Sequence, residues 1–298
     1  MTDPDLPPED PAWGHGTLDH RGHPVHYVRG GRGRPVVCLH GWPGFRHDYR
    51  RVRPLLEDAA DVIAIDLRGF GGSLAPDVPV ADHGRAAQAR LVLAVLDALE
   101  LGPVVLVGYD VGSGVAIQVA RDAPGRVAGL VLGNPMHPGA GRLALDPDQR
   151  GEFWYQDFHA LALADELLDG DPVAVRTYLG HFHRHWGGRP DPLGGAHLDA
   201  VVRAYARPGA LRSSLGWYRS GSSTIPAALA ARTAPAAAPV PVPAAVLWGA
   251  ADPLFPLRFA DGLADTLADH RLTVLHDVGH FVPLEAPDDV AAAVRGFL

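Results

Sequence analysis

Hydrophobic and polar positions along the chain fall into two regimes. In the first, short continuous apolar runs are separated by glycine-rich turns. Pro35-Val36-Val37-Cys38-Leu39, Asp61-Val62-Ile63-Ala64-Ile65-Asp66, Val104-Val105-Leu106-Val107 and Val127-Ala128-Gly129-Leu130-Val131-Leu132 are such runs. Runs of this length without alternation predict strands of a parallel sheet, buried on both faces. Before them, His23 to Arg29 alternates and predicts an early strand, closed by the turn Gly30-Gly31-Arg32-Gly33. Ala86 to Leu99 has helical apolar spacing, and Val115 to Ala120 reads as a second helix. Strands alternating with helices predict an α/β fold with a mostly parallel, doubly wound sheet.

The second regime runs from about Met136 to Thr224. The βα alternation stops, and helical stretches carry clustered aromatics: Phe153, Trp154, Tyr155 and Phe158, then Tyr178, Phe182 and Trp186, then Trp217 and Tyr218. This predicts a helical cap over 136–226, inserted between two sheet strands. Residues 227–242 are an Ala/Pro tract and predict a linker back to the core. Ala244-Ala245-Val246-Leu247-Trp248-Gly249 and Leu272-Thr273-Val274-Leu275 resume the sheet, and Val290 to Leu298 predicts a closing helix. The core is expected over 15–135 and 243–298. The acidic, Pro-rich residues 1–14 are expected to be a flexible tail and not a signal peptide.

Composition narrows the class of partner. The chain has 298 residues, 47% hydrophobic and 20% charged, as in ordinary globular proteins. A net charge of -8 argues against nucleic acid and anionic membranes as partners. No apolar run approaches the ~20 residues of a membrane span. The single cysteine, Cys38, lies in an apolar run and excludes a disulfide framework, which fits a cytoplasmic monomer or homodimer. Gly69-Phe70-Gly71-Gly72 lacks the spacing and following Lys/Ser of a phosphate loop, so no cofactor is expected. His181 and His185 would share a helix face, but no carboxylate or thiolate stands at ligand spacing, so no metal site is expected.

The candidate chemistry centres on Gly108-Tyr109-Asp110-Val111-Gly112. A strand, a tight glycine-flanked turn and a helix form the pattern of a nucleophile elbow. Asp110 stands where ester-cleaving enzymes carry serine. A carboxylate is a poor nucleophile for a carbonyl and a competent one at a saturated carbon. The product is an ester whose carbonyl belongs to the enzyme. Hydrolysing it needs a base, an acid to orient the base, and two backbone N–H donors.

In combination and in order, several motifs resemble the epoxide hydrolase and haloalkane/haloacid dehalogenase branch of the α/β-hydrolases. They are His40-Gly41-Trp42-Pro43, Asp66-Leu67-Arg68-Gly69-Phe70-Gly71-Gly72-Ser73, the elbow, Trp248-Gly249-Ala250-Ala251-Asp252 and Gly279-His280-Phe281. The resemblance covers nearly all of the chain outside the tail. It implies an α/β-hydrolase fold with Asp110 as nucleophile, His280 as base and Asp252 as orienting acid. Asn134 occupies a rival acid position but cannot supply the charge, and is expected as an auxiliary hydrogen-bond donor. Asp277 is expected to be a loop residue, and Asp66 and Arg68 loop anchors. The oxyanion hole would use the backbone N–H groups of Trp42 and Val111.

The resemblance also implies substrate-facing cap residues. Gly216-Trp217-Tyr218-Arg219 resembles the segment that carries a proton-donating tyrosine, which makes Tyr218 the donor and Trp217 a pocket residue. In Glu152-Phe153-Trp154-Tyr155-Gln156-Asp157-Phe158 either Trp154 or Tyr155 takes the partner position, and the spacing to Phe158 favours Trp154. Trp42 is expected to line the pocket too. Haloacid-type relatives carry arginines just after the nucleophile, where this chain has Val111 and Gly114. Haloalkane-type relatives carry a Trp there and often an Asn at the position of Trp42. Tyr109 stands where epoxide hydrolases usually have His. An epoxide, bulky or aromatic, is therefore the expected small-molecule substrate.

Overall fold

The computed structural model describes residues 13–189, 193–234 and 237–298, without the side chains of 138–140. Eight strands form one sheet in the order β1-β2-β4-β3-β5-β6-β7-β8. They are β1 (Gly14–His20), β2 (His23–Gly31), β3 (Arg34–Leu39), β4 (Ala60–Ile65), β5 (Val104–Tyr109), β6 (Val127–Gly133), β7 (Ala244–Gly249) and β8 (His270–Leu275). β1 and β2, and β2 and β4, pair antiparallel. Every other neighbouring pair is parallel. The continuous apolar runs are the central strands, and β5 is buried at every position.

β1 carries no hydrophobic signal. Gly-His-Gly-Thr-Leu-Asp-His has one large apolar residue, and its positions alternate between exposed and half-buried at the sheet edge. The expected tail of 1–14 is corrected at its end. Trp13 is buried with the Arg53 guanidinium over its ring, and Gly14 opens β1. Residues 1–12 lie outside the described residues.

Helix α1 (Arg85–Ala98) packs on α2 (Val111–Asp122), which lies against β3, β5 and β6. Between β6 and β7 the chain runs through α3 (Pro138–Ala144), α4 (Pro147–Arg150), α5 (Trp154–Ala160), α6 (Leu163–Leu168), α7 (Pro172–Trp186), α8 (Gly195–Tyr205), α9 (Ala210–Arg219) and α10 (Thr224–Ala231). α7 starts where the sequence supplies both a cap and a preset φ: Asp171 accepts from the N–H groups of Val173 and Ala174, and Pro172 follows it. The helices pair α3 with α10, α5 with α9 and α7 with α8. α10 runs into the tract expected as a linker, because its alanines are strong helix formers, so irregular chain begins only after Ala231. α11 (Val282–Glu285) and α12 (Pro287–Arg295) close the chain, with α12 against β6 and β7. Among the described residues no helix is long and apolar enough to cross a membrane.

Candidate active site

The elbow turns at Asp110, which has φ 47° and ψ -121° between β5 and α2. Non-glycine residues rarely hold a positive φ, and such strain persists only where the surroundings enforce it. Here two glycines allow the close approach. A Cβ on Gly108 would stand 2.5 Å from the carbonyl oxygen of Gly112, and one on Gly112 would stand 2.0 Å from that of Leu39. β5 is thereby pinned against the start of α2, and the carboxylate projects at the ends of the parallel strands.

The Trp42 N–H donates to Asp110 Oδ2 at 2.8 Å, and the Val111 N–H, the first of α2, favours the charged form of this carboxylate. Asp110 Oδ1 lies 3.9 Å from His280 Nε2. His280 Nδ1 meets Asp252 Oδ2 at 2.8 Å, and both residues are buried. Asp252 Oδ1 accepts from the Leu254 N–H at 2.8 Å, and Oδ2 accepts from Asn134 Nδ2 at 2.6 Å. Asn134 in turn accepts from the Gly249 N–H and donates to the Gly279 carbonyl. It therefore ties the acid loop to the histidine loop as a neutral donor. Asp277 forms no part of this arrangement.

Electrostatics follow from this packing. Burial raises the Asp110 pKa, opposed by His280 and by the two N–H donors. Burial alone would lower the His280 pKa, but Asp252, Asp110 and Glu285 outweigh it and the net shift is upward. His280 Nε2 is buried without a hydrogen-bond partner among the described residues, so the nitrogen facing Asp110 is free to take a proton.

The loop that presents Trp42 is held by groups of the core. Leu67 N–H donates to His40 Nε2, so His40 Nδ1 donates to the Gly41 carbonyl. Tyr205 from α8 bonds both the N–H and the carbonyl of Gly44. Tyr109, whose consequence was not legible in the sequence, is buried and donates to Asp48 Oδ2 at 2.6 Å. Asp66 anchors its loop: it pairs with Arg46 at 2.6 Å and accepts from the N–H groups of Arg46 and Gly72. Burial would raise its pKa, but Arg46, His26 and His40 hold it well below the usual carboxylate range. Arg68 bonds Gln88 and His20.

A cavity of about 20 Å³ opens beside Asp110, lined among others by Val111, Tyr155, Trp217, Tyr218 and Phe255. Tyr155 and Tyr218 are both buried, with ring centroids 5.7 Å apart. Two sequence expectations need correction. Trp154 is 45% exposed and packs on Phe158, Tyr178, His181 and Phe182, outside this cavity. One residue of helix rotates by about 100°, so an inward Tyr155 turns Trp154 outward. The Trp42 indole is also not part of the lining. Tyr155 stacks on it at 5.8 Å, and His159, Tyr178, Phe182, Trp186 and Tyr218 surround it. The aromatic cluster thus fills itself rather than enclosing a wide pocket. Sequence reasoning missed Phe255, Gln156 and Met136 in the lining, and Arg85, which reaches it from α1. None of these has a motif.

Among the described residues no three His, Cys, Asp or Glu side chains group as metal ligands. His185 pairs with Glu152 and stacks on His181, while His183 is buried. Cys38 is buried, which pushes its thiol well up.

Residues 34–287 match the α/β-hydrolase fold family, and the chain belongs to that family. It is similar to haloalkane dehalogenase 2 of Mycobacterium tuberculosis strain H37Rv, with 29% identity over 98% of this chain and 96% of the relative. The soluble epoxide hydrolase of Corynebacterium sp. strain C12 is 29% identical, over 90% of this chain and 91% of that one. The solved structure of the epoxide hydrolase CorEH without ligand superposes with a TM-score of 0.82, at 25% identity over 96% of this chain and 98% of that chain. The protein is a hydrolase of the α/β fold.

Proposed function

We propose that this hydrolase opens epoxides to vicinal diols through a covalent ester on Asp110, with Asp110, His280 and Asp252 as its triad. Asp110 Oδ1, the oxygen not held by the Trp42 N–H, attacks a ring carbon. The carbon–oxygen bond breaks and the ring oxygen takes a proton from Tyr218 or Tyr155. His280 then removes a proton from water, which adds to the Asp110 carbonyl carbon. The oxyanion forms on Oδ2, which the Trp42 N–H already contacts, with the Val111 N–H as the second donor of the proposed hole. Asp252 steadies the imidazolium. The intermediate collapses as its leaving oxygen takes the proton from His280, the diol departs, and the proton left on the Asp110 carboxyl returns to the tyrosinate.

The observation that carries this reading is the pair of buried tyrosines in one cavity with the nucleophile. Burial raises both phenol pKa values well above 10, so both hydroxyls stay protonated. An epoxide leaves as an alkoxide, which needs such a donor, whereas a halide does not. The relative named as a haloalkane dehalogenase keeps that activity as the rival reading. Against it, Val111 follows the nucleophile, and the Trp42 indole lies outside the cavity lining. The test is a matched panel of short terminal epoxides and bromoalkanes, read as diol formed and halide released. Diol without halide supports the proposal; halide without diol overturns it.

A further inference from the structure

Arg85, the first residue of α1, lines the cavity beside Asp110 and a second, larger cavity of about 160 Å³. The two cavities share Arg85, Gly114, Met136 and Thr224 and adjoin along that wall. Arg85 packs against α2 at Gly114, where a Cβ would meet Arg85 Nε in ordinary van der Waals contact at 3.5 Å. Gly114 lies one helical turn beyond Asp110, and its N–H donates to the Asp110 carbonyl. Arg85 thus meets α2 at a residue about one turn, ~5.4 Å along the helix, from the nucleophile.

This cation is unbalanced. Its side chain makes one hydrogen bond, from an NH2 group to the Ser222 carbonyl, and Nε is buried with no partner among the described residues. No carboxylate pairs with it there, and the first turn of α1 holds no acid. The helix dipole at that end repels a positive charge. The larger cavity adds Arg121 and His137, and among the described residues no Asp or Glu lines it. Across the shared wall stand Ser223 and Thr224, the cap and first residue of α10, and the Ser223 side chain makes no capping bond. Burial and the neighbouring Arg121 lower the Arg85 pKa, which is the signature of a cation without a counter-ion. A buried unpaired charge is costly unless something supplies the partner.

We infer that the substrate carries a carboxylate, which Arg85 binds in the second cavity while the epoxide ring lies against Asp110. This inference rests on the proposed epoxide reading for its reacting group but not for its anion site. The carboxylate joins the Arg85 guanidinium and is within the field of Arg121. Thr224, at the start of α10, lines the same cavity. The preferred substrate is therefore an epoxy acid with a short chain between ring and carboxylate.

The test compares a short epoxy carboxylic acid with its primary amide, which has nearly the same shape and no charge. Wild type is expected to favour the acid by about tenfold or more in kcat/KM, the range of a charge-assisted hydrogen bond. Arg85→Gln should bring that ratio close to one, and Arg85→Lys should keep part of it. A merely structural role, tying α1 to the loop at Ser222, would lower turnover of both substrates and leave the ratio unchanged. A second readout needs no turnover: calorimetric binding of a short-chain carboxylate and its amide to wild-type enzyme. Carboxylate binding that is lost in Arg85→Gln, with no diol from any epoxide, keeps the anion site and rejects the epoxide reading. Diol formation with equal rates for acid and amide keeps the epoxide reading and overturns the anion site.

Discussion

The backbone N–H of Trp42 donates to Oδ2 of Asp110 at 2.8 Å, while Oδ1 of the same carboxylate lies 3.9 Å from His280 Nε2. The two oxygens are thus distinguished before any substrate arrives. One is held by the Trp42 N–H, a donor of the proposed oxyanion hole, and the other is available to attack. Such preorganisation costs nothing at the moment of reaction.

His280→Gln separates the two steps. Asp110 still opens the ring, but nothing activates water against the ester. Steady-state turnover should fall by about 10²–10⁴-fold, the usual worth of a general base. Intact-protein mass spectrometry should show enzyme heavier by one substrate. Loss of turnover without an adduct would place His280 in the first step.

Asp252 sets the pH profile. His280 must be neutral to act as a base, so activity falls as pH drops below its pKa. That pKa lies above 6.5, since Asp252, Asp110 and Glu285 outweigh burial. Asp252→Asn removes the strongest of these supports. The acid limb should move to lower pH while kcat drops by about 10²–10⁴-fold. An unmoved limb would mean that another group titrates.

The tyrosines predict an asymmetry within the lid. Tyr155→Phe and Tyr218→Phe should each slow ester formation by about 10–100-fold, and the double variant by more. Trp154→Phe should change kcat/KM by less than about twofold, because its ring packs outside the cavity. Pre-steady-state adduct formation is the readout. A large effect at Trp154 would contradict the helix register.

Acid should weaken the fold through buried imidazoles. Burial lowers the pKa values of His83 and His183 to about 4, against about 6.5 in an unfolded chain. A depressed folded pKa gives stability that is present above pH 6.5 and lost as pH falls toward 4. Each loses about 1.4 kcal/mol per pH unit in that window. Asp48, raised by burial to about 7, acts with the opposite sign over nearly the same window and cancels one of them. His47, lowered by burial to about 3, loses stability over the same window, so the imidazoles outweigh Asp48 and the unfolding midpoint should fall between pH 6.5 and 5. His159 and His197, held neutral by burial, add to it. A flat midpoint over that range would contradict neutral imidazoles at these sites.

The sequence made the sheet legible where burial writes an uninterrupted apolar run, as in β3 to β7. It failed at β1, whose edge position leaves no such pattern. The proximity of Asp110, His280 and Asp252 was legible because each follows a strand of the same parallel sheet. All such strand ends lie on one side. The lid register was not, since Trp154 and Tyr155 are both aromatic and only packing decides which turns inward. Arg85 was invisible for a different reason. Its proposed role depends on the absence of a paired acid nearby, and that leaves no motif.

The measurement closest to the central claim is a single turnover in oxygen-18 water with enzyme in excess over an epoxide, followed by peptide mass spectrometry. Water that attacks the ester leaves its oxygen in the Asp110 carboxylate, and the diol receives the oxygen Asp110 already held. The account therefore predicts label in the Asp110 peptide and an unlabelled diol. A labelled diol with unlabelled Asp110 would mean that water attacks the ring directly and that Asp110 is not the nucleophile.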